Sequence, residues 1–319
     1  MGAMVSSPPV AAAFKEHRRL LWGLAYRMTG SAADADDVLQ ETFTRAVERP
    51  PPRADEPLRP WLVHVAVNVA RDALRRRKRR GYVGPWLPSP VEDVEDAAAP
   101  PAARSDARYE LRESASFAFL VALEALNPQQ RAVLLLRDVL DYSVREAAGA
   151  LGLSEPNVKT THHRARRAMA AYDATRRPSL GELAAETRAA LERFLGAILA
   201  QDTAAAAACL ADGARLVSDG GGEFRAALRP VLGPDRITRF FLGLTKKLGA
   251  PVRFEVKSLN GLPALMMEYD RPDGPWAKRF VVRCDVDAAG AIHAVYVVVA
   301  SAKLARVAGM SDAHAPVLV

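Results

Sequence analysis

A segment rich in proline, alanine and acidic residues, from residue 81 to residue 108, interrupts the regular apolar spacing of this chain. Its composition is typical of a linker, because it offers neither a helical nor a strand-like apolar face to bury. Apolar residues recur at helical spacing on both sides of it, whereas strand-like runs begin only after Pro178. The chain is therefore predicted to be multidomain, with two all-α helical domains followed by one α+β domain.

The first all-α domain is predicted to occupy residues 10–80. One of its helices is expected to end at Gly30, and Ser31 or Asp34 to cap the next. A third helix is predicted to start near Trp61. Spacings of three and four define the face of this helix that is expected to pack inward: Leu62, Val65, Val69 and Ala73. The other side carries a polar and basic face: His64, Asn68, Arg71 and Arg75.

The second all-α domain, residues 109–175, has the pattern of a helix, a short helix, a tight turn and a last helix. Gly152 permits the turn, and Ser154 is expected to cap the last helix. Small and apolar side chains are expected to pack the short helix: Ala147, Ala148 and Leu151. The inward stripe of the last helix is predicted to be Val158, His162 and Ala165. This layout is a helix-turn-helix.

Positive charge is concentrated on two of these helices. Seven of the ten residues from Arg71 to Arg80 are basic, in a chain of net charge +7 and pI near 9.6. The last helix of the second block carries another cluster: Lys159, Arg164, Arg166 and Arg167. Two cationic helices predict a nucleic-acid partner. For either cluster alone, a solvated helix face is an equal alternative.

Residues 180–306 are predicted to form the α+β domain, and residues 307–319 a tail. A long and a short helix come first, then a strand that ends in a glycine turn, a third helix and three strand-like runs. Turns are expected at Asn260-Gly261 and Ala289-Gly290. Cys209 and Cys284 are predicted to be free, buried thiols in the reducing cytoplasm. No cofactor, metal site, signal peptide or membrane span is predicted.

The two helical blocks together resemble a bacterial RNA polymerase sigma factor of the extracytoplasmic-function type, over about residues 14–175. "YRMTGSAADADDVLQETFTRA" is similar to the region-two segment that docks on the clamp coiled coil of the polymerase large subunit. "RPWLVHVAVNVARDALRRRKRR" is similar to the segment that melts promoter DNA and reads the −10 element. The second block is similar to region four, whose helix-turn-helix reads the −35 element.

This resemblance implies three sets of contact residues. The polymerase-binding set is Asp37, Gln40 and Glu41, for which an equal alternative is that acidic residues only stabilise the helix start. The −10 set combines a base-reading amide with cations for phosphates: His64, Asn68, Arg71, Arg75, Arg76 and Arg77. The −35 set lies on the recognition helix: Glu155, Asn157, Lys159, Thr160, His163, Arg164, Arg166 and Arg167.

The C-terminal domain resembles the SnoaL-like, nuclear-transport-factor-like cone, and the whole chain resembles the sigma-factor subgroup that carries this domain as a fused extension. The linker motif of that subgroup is met by Trp86-Leu87-Pro88. Its Asp-Gly-Gly-Gly-Lys motif is met by Asp219-Gly220-Gly221-Gly222, except that Glu223 replaces the lysine. Its late Asn-Pro-Asp-Lys-Leu motif survives as Lys303-Leu304. The resemblance implies that these residues make interdomain regulatory contacts, with Trp86 anchoring the linker against the extension or region two. A disordered linker with an incidental tryptophan is the alternative.

The sequence therefore predicts a non-enzymatic sigma factor that binds core RNA polymerase and promoter DNA, without a separate anti-sigma protein. One alternative is a helix-turn-helix regulator that works without polymerase and uses the cone as a ligand sensor. Another is a cone-domain isomerase tethered to DNA-binding helices. The acids and the histidine of the cone show no paired catalytic spacing, which argues against the isomerase: Asp219, Glu268, Asp270 and His293. The sequence is also compatible with an unidentified small ligand in the cone domain.

Overall fold

The structure, a computed structural model, describes residues 8–48, 58–92, 108–111, 113–177, 180–249, 251–270 and 274–309. The expected linker between residues 93 and 107 and the expected tail beyond residue 309 lie outside the described residues. The described chain divides into two compact units. The first contains the residues up to 80 together with 108–176, and the second contains residues 81–92 together with the residues from 177 onward.

Three long helices open the first unit: α1 (Pro8–Thr29), α2 (Ala32–Glu48) and α3 (Leu58–Arg80). Helix α1 ends as expected where Gly30 takes a left-handed φ of 66°. Of the two candidate caps of α2, the structure uses Ser31, whose hydroxyl accepts a 3.1 Å hydrogen bond from the Asp34 amide.

The second helical block of this unit begins with a 3₁₀ turn (Glu113–Ala115) and α4 (Phe117–Leu123). It continues with α5 (Pro128–Leu134), a π-helical turn (Leu135–Val139), α6 (Val144–Leu151), α7 (Glu155–Ala168) and α8 (Ala170–Thr175). Helix α6 starts with a reciprocal capping box between Ser143 and Glu146. Gly152, at φ 62°, makes the turn, and Ser154 caps α7 through the Asn157 amide. The helix-turn-helix is confirmed.

The inward face expected for α3 is wrong in two positions. Leu62 and Val69 are buried, but Val65 and Ala73 are only half-buried. The residues buried along α3 instead wrap around two sides of the helix: Leu62, Val63, Ala66, Val67, Val69, Ala70 and Leu74. This occurs because α3 packs against α1 and α2 on one side and against α5 and α6 on another.

The second unit is an α+β domain with helices α9 (Leu180–Leu199), α10 (Thr203–Ala208), α11 (Pro234–Leu248) and α12 (Ser301–Leu304). Its strands are β1 (Leu210–Asp219), β2 (Val231–Leu232), β3 (Arg253–Leu259), β4 (Leu262–Glu268), β5 (Arg279–Val286) and β6 (Ile292–Val298). They form one sheet in the order β2-β1-β6-β5-β4-β3. Strands β1 and β6 pair in parallel, and every other pair is antiparallel, so the sheet is mixed.

The strand-like run before Asp270 folds as the hairpin β3–β4, and its turn lies at Asn260-Gly261 as expected. The two-residue strand β2 was not predicted, because two residues are too few to show a period. Helices α9 and α11 cover one face of the sheet, where the Phe194 and Phe241 rings meet edge to face at 5.2 Å. This is the core of the second unit.

The two cysteines differ in burial. Cys284 lies in this core, and burial raises the pKa of its thiol to about 12, whereas Cys209 is only half-buried. Among the described helices, none is long and apolar enough to span a bilayer. The described residues also contain no group of three His, Cys, Asp or Glu side chains arranged to hold a metal ion.

Candidate functional site

The residues expected to contact polymerase line a groove between α2 and α3. The groove has a volume of about 430 Å³, and Asp37, Gln40 and Glu41 form one wall of it. Asp37 and Gln40 are exposed, while Glu41 is half-buried and pairs with Arg45 at 2.7 Å. The Asp37 and Gln40 side chains therefore face solvent and do not belong to the core.

The expected −10 residues of α3 form a hydrogen-bonded chain. His64 Nδ1 lies 2.7 Å from the carbonyl oxygen of Ala150, at the end of α6. A carbonyl oxygen only accepts, so Nδ1 carries the proton, and in the neutral ring Nε2 accepts from the Asn68 amide at 3.1 Å. The Asn68 carbonyl oxygen accepts from Arg71 at 3.3 Å. Both ends of the Asn68 amide are thus occupied inside the first unit.

The basic end of α3 is divided between bound and exposed side chains. Arg77 donates to the Thr29 carbonyl at 2.8 Å and to Glu124 at 2.7 Å. Glu124 also accepts from Arg131, a side chain 3% exposed that donates to the Met28 carbonyl at 2.8 Å. Glu124 therefore connects α3 to α5. Its role was not predicted, because a lone glutamate in a helical pattern carries no signal of a distant partner.

Two of the other expected −10 cations, Arg75 and Arg76, face solvent at the same end of α3. Arg75 makes a 3.0 Å pair with Asp72, and both side chains of that pair are about half exposed. A pair of this kind contributes little to stability and exchanges readily for a phosphate. Burial and then repulsion from Arg75 lower the pKa of Arg71 below its ordinary value.

The recognition helix α7 presents seven of the eight expected −35 residues to solvent: Glu155, Asn157, Lys159, Thr160, His163, Arg164 and Arg167. The eighth, Arg166, turns to Asp138 instead, with contacts of 2.6 and 3.1 Å. The stripe predicted to pack inward is right at Val158 and Ala165, which are fully buried. The third buried position of α7 is Thr161.

His162, predicted to lie on that inward stripe, is partly exposed at its edge. Its Nε2 lies 2.9 Å from Asp138, whose side chain is 2% exposed. Burial raises the pKa of Asp138, but the hydrogen bonds from His162 and Arg166 outweigh burial, and the pKa falls below its ordinary 3.8. Asp138 therefore fixes the recognition helix from beneath as a carboxylate.

Five residues of the second unit form what we call the linker-anchoring cluster: Tyr82, Trp86, Leu87, Asp219 and Lys303. Asp219 is fully buried at the end of β1 and accepts from the Tyr82 hydroxyl at 2.6 Å and from the Leu87 amide at 2.7 Å. The Lys303 ammonium donates to Asp219 and to the Leu87 carbonyl. It also lies 4.1 Å from the Trp86 ring centroid and 4.8 Å from that of Tyr82.

The glycine turn after Asp219 is required by close approach. A Cβ at Gly220 would collide with the Phe224 carbonyl, and one at Gly221, whose φ is 63°, would lie 2.9 Å from Ala300. Glu223, at the position of the expected lysine, accepts from the Ser301 amide at 3.1 Å and from its hydroxyl at 2.8 Å. Glu223, which departs from the Asp-Gly-Gly-Gly-Lys motif, therefore contacts the residue two positions before Lys303 of the late motif.

The remainder of the described linker is also held in the second unit. The backbone amide of Val91 donates to the side-chain oxygen of Asn260 at 3.3 Å, and the backbone amide of Asn260 donates to the Val91 carbonyl at 2.8 Å. Glu92 accepts from Lys257 at 3.0 Å and from the Ala308 amide at 2.8 Å. Leu87, Ser89 and Val91 are buried. Sequence reasoning identified Trp86 and Leu87 here but missed Tyr82, Asn260, Lys257 and Glu92.

Comparison with known protein families gives two matches along the chain. The Sigma-70 region 2 family matches residues 13–80, and the Sigma-70 region 4 family matches residues 116–169. Both matched segments lie in the first unit.

Whole proteins are also similar. The ECF RNA polymerase sigma factor SigJ of Mycobacterium tuberculosis (strain ATCC 25618 / H37Rv) is 35% identical over 240 residues, covering 74% of this chain and 73% of the relative. SigG of the same strain is 38% identical over 211 residues, and the match spans 58% of this chain and about half, 55%, of SigG. The crystal structure of M. tuberculosis extracytoplasmic function sigma factor SigJ has a TM-score of 0.70 at 28% identity, covering 93% of this chain and 98% of that one.

Proposed function

This chain belongs to the extracytoplasmic-function RNA polymerase sigma factors that carry a fused C-terminal SnoaL-like domain, and we propose that this domain controls initiation by anchoring the linker. Membership of the family means that the protein binds core RNA polymerase and directs promoter-specific initiation. The alternative of a regulator that works without polymerase is not favoured. The linker-anchoring cluster is the observation that carries the proposal.

We assign polymerase docking to the exposed wall of the α2–α3 groove. Asp37 and Gln40 face solvent there, and Glu41 is held beside them by Arg45. Exposed carboxylates on a rigid helix suit a cationic partner surface, because complementary charge speeds encounter and fixes orientation. The clamp coiled coil of the polymerase large subunit is the proposed partner.

We assign −10 recognition to α3 and −35 recognition to α7. Asn68 is the proposed base reader on α3, with Arg75 and Arg76 placed for backbone phosphates. On α7 the exposed residues at the N-terminal end, among them Asn157 and Lys159, are proposed to enter the major groove. Arg166 is better placed to hold Asp138 than to reach DNA.

The first unit is in a closed arrangement that conflicts with binding both promoter elements. Elements centred near −10 and −35 lie about 85 Å apart along a duplex, at about 3.4 Å per base pair. Here α3 and the region-four helices touch directly, through His64 to Ala150 at 2.7 Å and Arg77 to Glu124 at 2.7 Å. The two regions must therefore separate before both elements are read.

Separation requires chain length, and the linker supplies it. Residues 81–92 are bound within the second unit, from Tyr82 on Asp219 to Glu92 on Lys257. If released, this stretch adds about 40 Å of reach at about 3.4 Å per extended residue. Anchoring therefore limits how far region four can move from region two, and release favours the open, promoter-bound state.

The C-terminal domain is proposed to be a regulatory module, in place of a separate anti-sigma protein, and not an enzyme. Two of its three candidate acids are committed to structural partners: Asp219 to the linker and Lys303, and Glu268 to Arg279 at 2.9 Å. A carboxylate held by several donors and a cation is a poor proton shuttle, since its hydrogen-bonding capacity is already filled.

In vitro transcription with purified core polymerase tests the proposal. Trp86→Ala removes the ring that covers the Lys303 ammonium and is expected to raise promoter-complex formation and transcript yield. Val83→Ala is the matched control, because Val83 lies in the same segment with a side chain 58% exposed. Truncation after Ala300, which deletes the helix that carries Lys303, should act like Trp86→Ala.

The readouts separate the two parts of the proposal. Transcript yield from Trp86→Ala that equals or falls below that of the unaltered chain, with Val83→Ala unchanged, would contradict restraint by the linker. Failure of the full chain to co-purify with core polymerase would contradict the docking assignment. Replacing Asp37 and Gln40 by Ala should weaken polymerase binding while leaving the thermal stability unchanged.

A further inference from the structure

A second cavity lies in the C-terminal domain, where the start of β5 approaches the end of β6 and α12. Its volume is about 310 Å³, at the lower end of the range of about 300–1,000 Å³ typical of small-ligand sites. It is lined by the segment before β5, by Val299 after β6, and by Leu304 and Ala305 of the α12 segment.

The wall of this cavity is largely apolar and aromatic. Phe224 and Trp276 contribute aromatic surface, and Ala277, Val299 and Leu304 contribute aliphatic surface. Trp276 and Phe224 are only partly buried, so part of their surface remains available to a ligand. Burying an apolar body of a ligand against these side chains is favourable by about 25 cal/mol for each Å² removed from water.

Positive charge predominates in the lining of the cavity. Lys278 and Arg279 lie in its lining, and no acidic side chain does among the described residues. Two more cations flank Trp276: the Arg225 guanidinium lies 5.6 Å and the Lys247 ammonium 5.8 Å from its ring centroid. Arg279 pairs with Glu268 at 2.9 Å, and Lys278 is exposed at the rim. An anionic group on an otherwise apolar molecule matches this distribution.

We propose that this cavity binds a small organic carboxylate with an apolar body, the body lying against Trp276 and Phe224 and the carboxylate near Lys278. Only the effect of this ligand on transcription rests on the proposed regulatory function of the domain. Binding itself requires no polymerase and no promoter.

The position of the cavity connects it to the linker through α12. Ser301, Leu304 and Ala305 line the cavity, while Lys303 on the same short segment holds Asp219 and the Leu87 carbonyl. A ligand that packs against Leu304 and Ala305 therefore contacts the segment that supplies the anchoring ammonium. Occupancy of the cavity and anchoring of the linker then become coupled equilibria.

Octanoate is a suitable probe, with octanol as its neutral and octylammonium as its cationic counterpart. We expect saturable binding of octanoate to the full chain by isothermal titration calorimetry, and at least fivefold weaker binding of both counterparts. Lys278→Glu should weaken octanoate binding about fivefold or more, the effect of an exposed charge contact. Lys246→Glu, a charge reversal at an exposed lysine outside the lining, should change it less than twofold.

A steric pair on the α12 segment keeps the test independent of charge. Ala305 lines the cavity and Ala302 does not, and both are exposed, so a tryptophan at either position is expected to leave the fold intact. Ala305→Trp should abolish octanoate binding, and Ala302→Trp should preserve it. Equal binding of octanoate, octanol and octylammonium, no binding of octanoate, or binding unaffected by Ala305→Trp each overturns the site.

Hydrogen exchange of the linker tests the coupling separately. Octanoate at saturation should change the exchange rate of the Leu87 amide at least threefold in the unaltered chain and not at all in Ala305→Trp. An unchanged rate alongside demonstrated binding overturns the coupling to the linker. Transcription assays are not part of this test, so its failure is distinct from a failure of the proposed function.

Discussion

Removing the positive charge of the linker-anchoring cluster should release the linker without unfolding the domain. Lys303→Met keeps about the length of the side chain but removes the cation that pairs with Asp219, which is fully buried. Breaking a buried ion pair by removing one partner costs about 3–5 kcal/mol, because the remaining charge stays desolvated. Loss of the ammonium contact with the Trp86 ring, at 4.1 Å, adds up to about 2 kcal/mol.

The cost is relieved when the linker detaches, since detachment lets water reach Asp219. The perturbation therefore appears as easier linker opening. The Leu87 amide reports on this directly, because it donates to Asp219 at 2.7 Å and the substitution changes neither of these two residues. A cost of about 3 kcal/mol corresponds to an increase in amide exchange of about 100-fold, at about 1.4 kcal/mol for each factor of ten.

A double-mutant cycle isolates the pair. Combining Lys303→Met with Asp219→Asn removes both charges, so the double variant should lose less than the sum of the two single variants, by about 1–3 kcal/mol. Arg188→Met is the matched control, because its pair with Glu192 at 3.6 Å is about half exposed on both sides and should be worth at most about 1 kcal/mol. Exchange of the Leu87 amide within threefold of the unaltered chain in Lys303→Met would refute the reasoning.

Four substitutions in the first unit give further predictions. Arg166→Gln should raise the pKa of Asp138. The lowered pKa of this carboxylate stabilises the folded state above pH about 4, and that stabilisation is lost as the pH falls through the pKa of the folded state. Acid unfolding of the variant, followed by circular dichroism, should therefore start at a higher pH. Arg167→Gln should leave that transition unchanged and only lower the salt dependence of promoter binding by about one unit of slope. Glu124→Gln should strengthen binding of a −10 single strand about two- to fivefold in fluorescence anisotropy, since it loosens the closed arrangement. Gly152→Ala should cost about 1–2 kcal/mol by scanning calorimetry from its left-handed φ of 62° alone, as an added Cβ meets nothing within 4 Å.

The helix-turn-helix could be predicted because its signals are local. Ser143 and Glu146 form the capping box at the start of α6, Gly152 makes the turn and Ser154 caps α7. Each of these contacts joins residues a few positions apart, so residue type and spacing are sufficient to place them. The order of the longer helices and strands in the C-terminal domain was predictable for the same reason, but strand β2 and helix α12 were not predicted.

The burial of α3 could not be predicted correctly, because it depends on partners distant in the sequence. A single amphipathic stripe is expected for a helix that packs on one side. Helix α3 packs on α1 and α2 and also on α5 and α6, so Val63 and Val67 become buried while Val65 stays half-buried. The choice of Thr161 as the third buried residue of α7 depends in the same way on Asp138, which draws His162 toward the edge.

The linker shows the same limit at the candidate site. Its proline-rich composition correctly predicted that the segment has no helical or strand-like apolar spacing. Residues 82–92 are nevertheless held by Asp219, Asn260 and Lys257, which lie more than a hundred positions away. Only the tryptophan motif pointed to a contact, and it did so through family resemblance. Buried polar groups such as Asp219 need partners, but a sequence does not state which ones.

If α3 reads the −10 element as proposed, closure of the first unit and binding of that element compete for the same side-chain atoms. His64 cannot direct Nδ1 to the Ala150 carbonyl, nor Arg77 its guanidinium to Glu124, while either contacts DNA. Two states that use one set of hydrogen-bonding groups exclude each other, so whatever stabilises closure raises the free energy of promoter binding by the same amount. When residues 81–92 are anchored, the remaining linker is shorter, and this alone favours closure of the first unit. The C-terminal domain then does not have to cover any residue proposed to contact DNA. The strength of the Asp219–Lys303 pair should therefore affect promoter affinity, although no proposed DNA-contacting residue belongs to the linker-anchoring cluster.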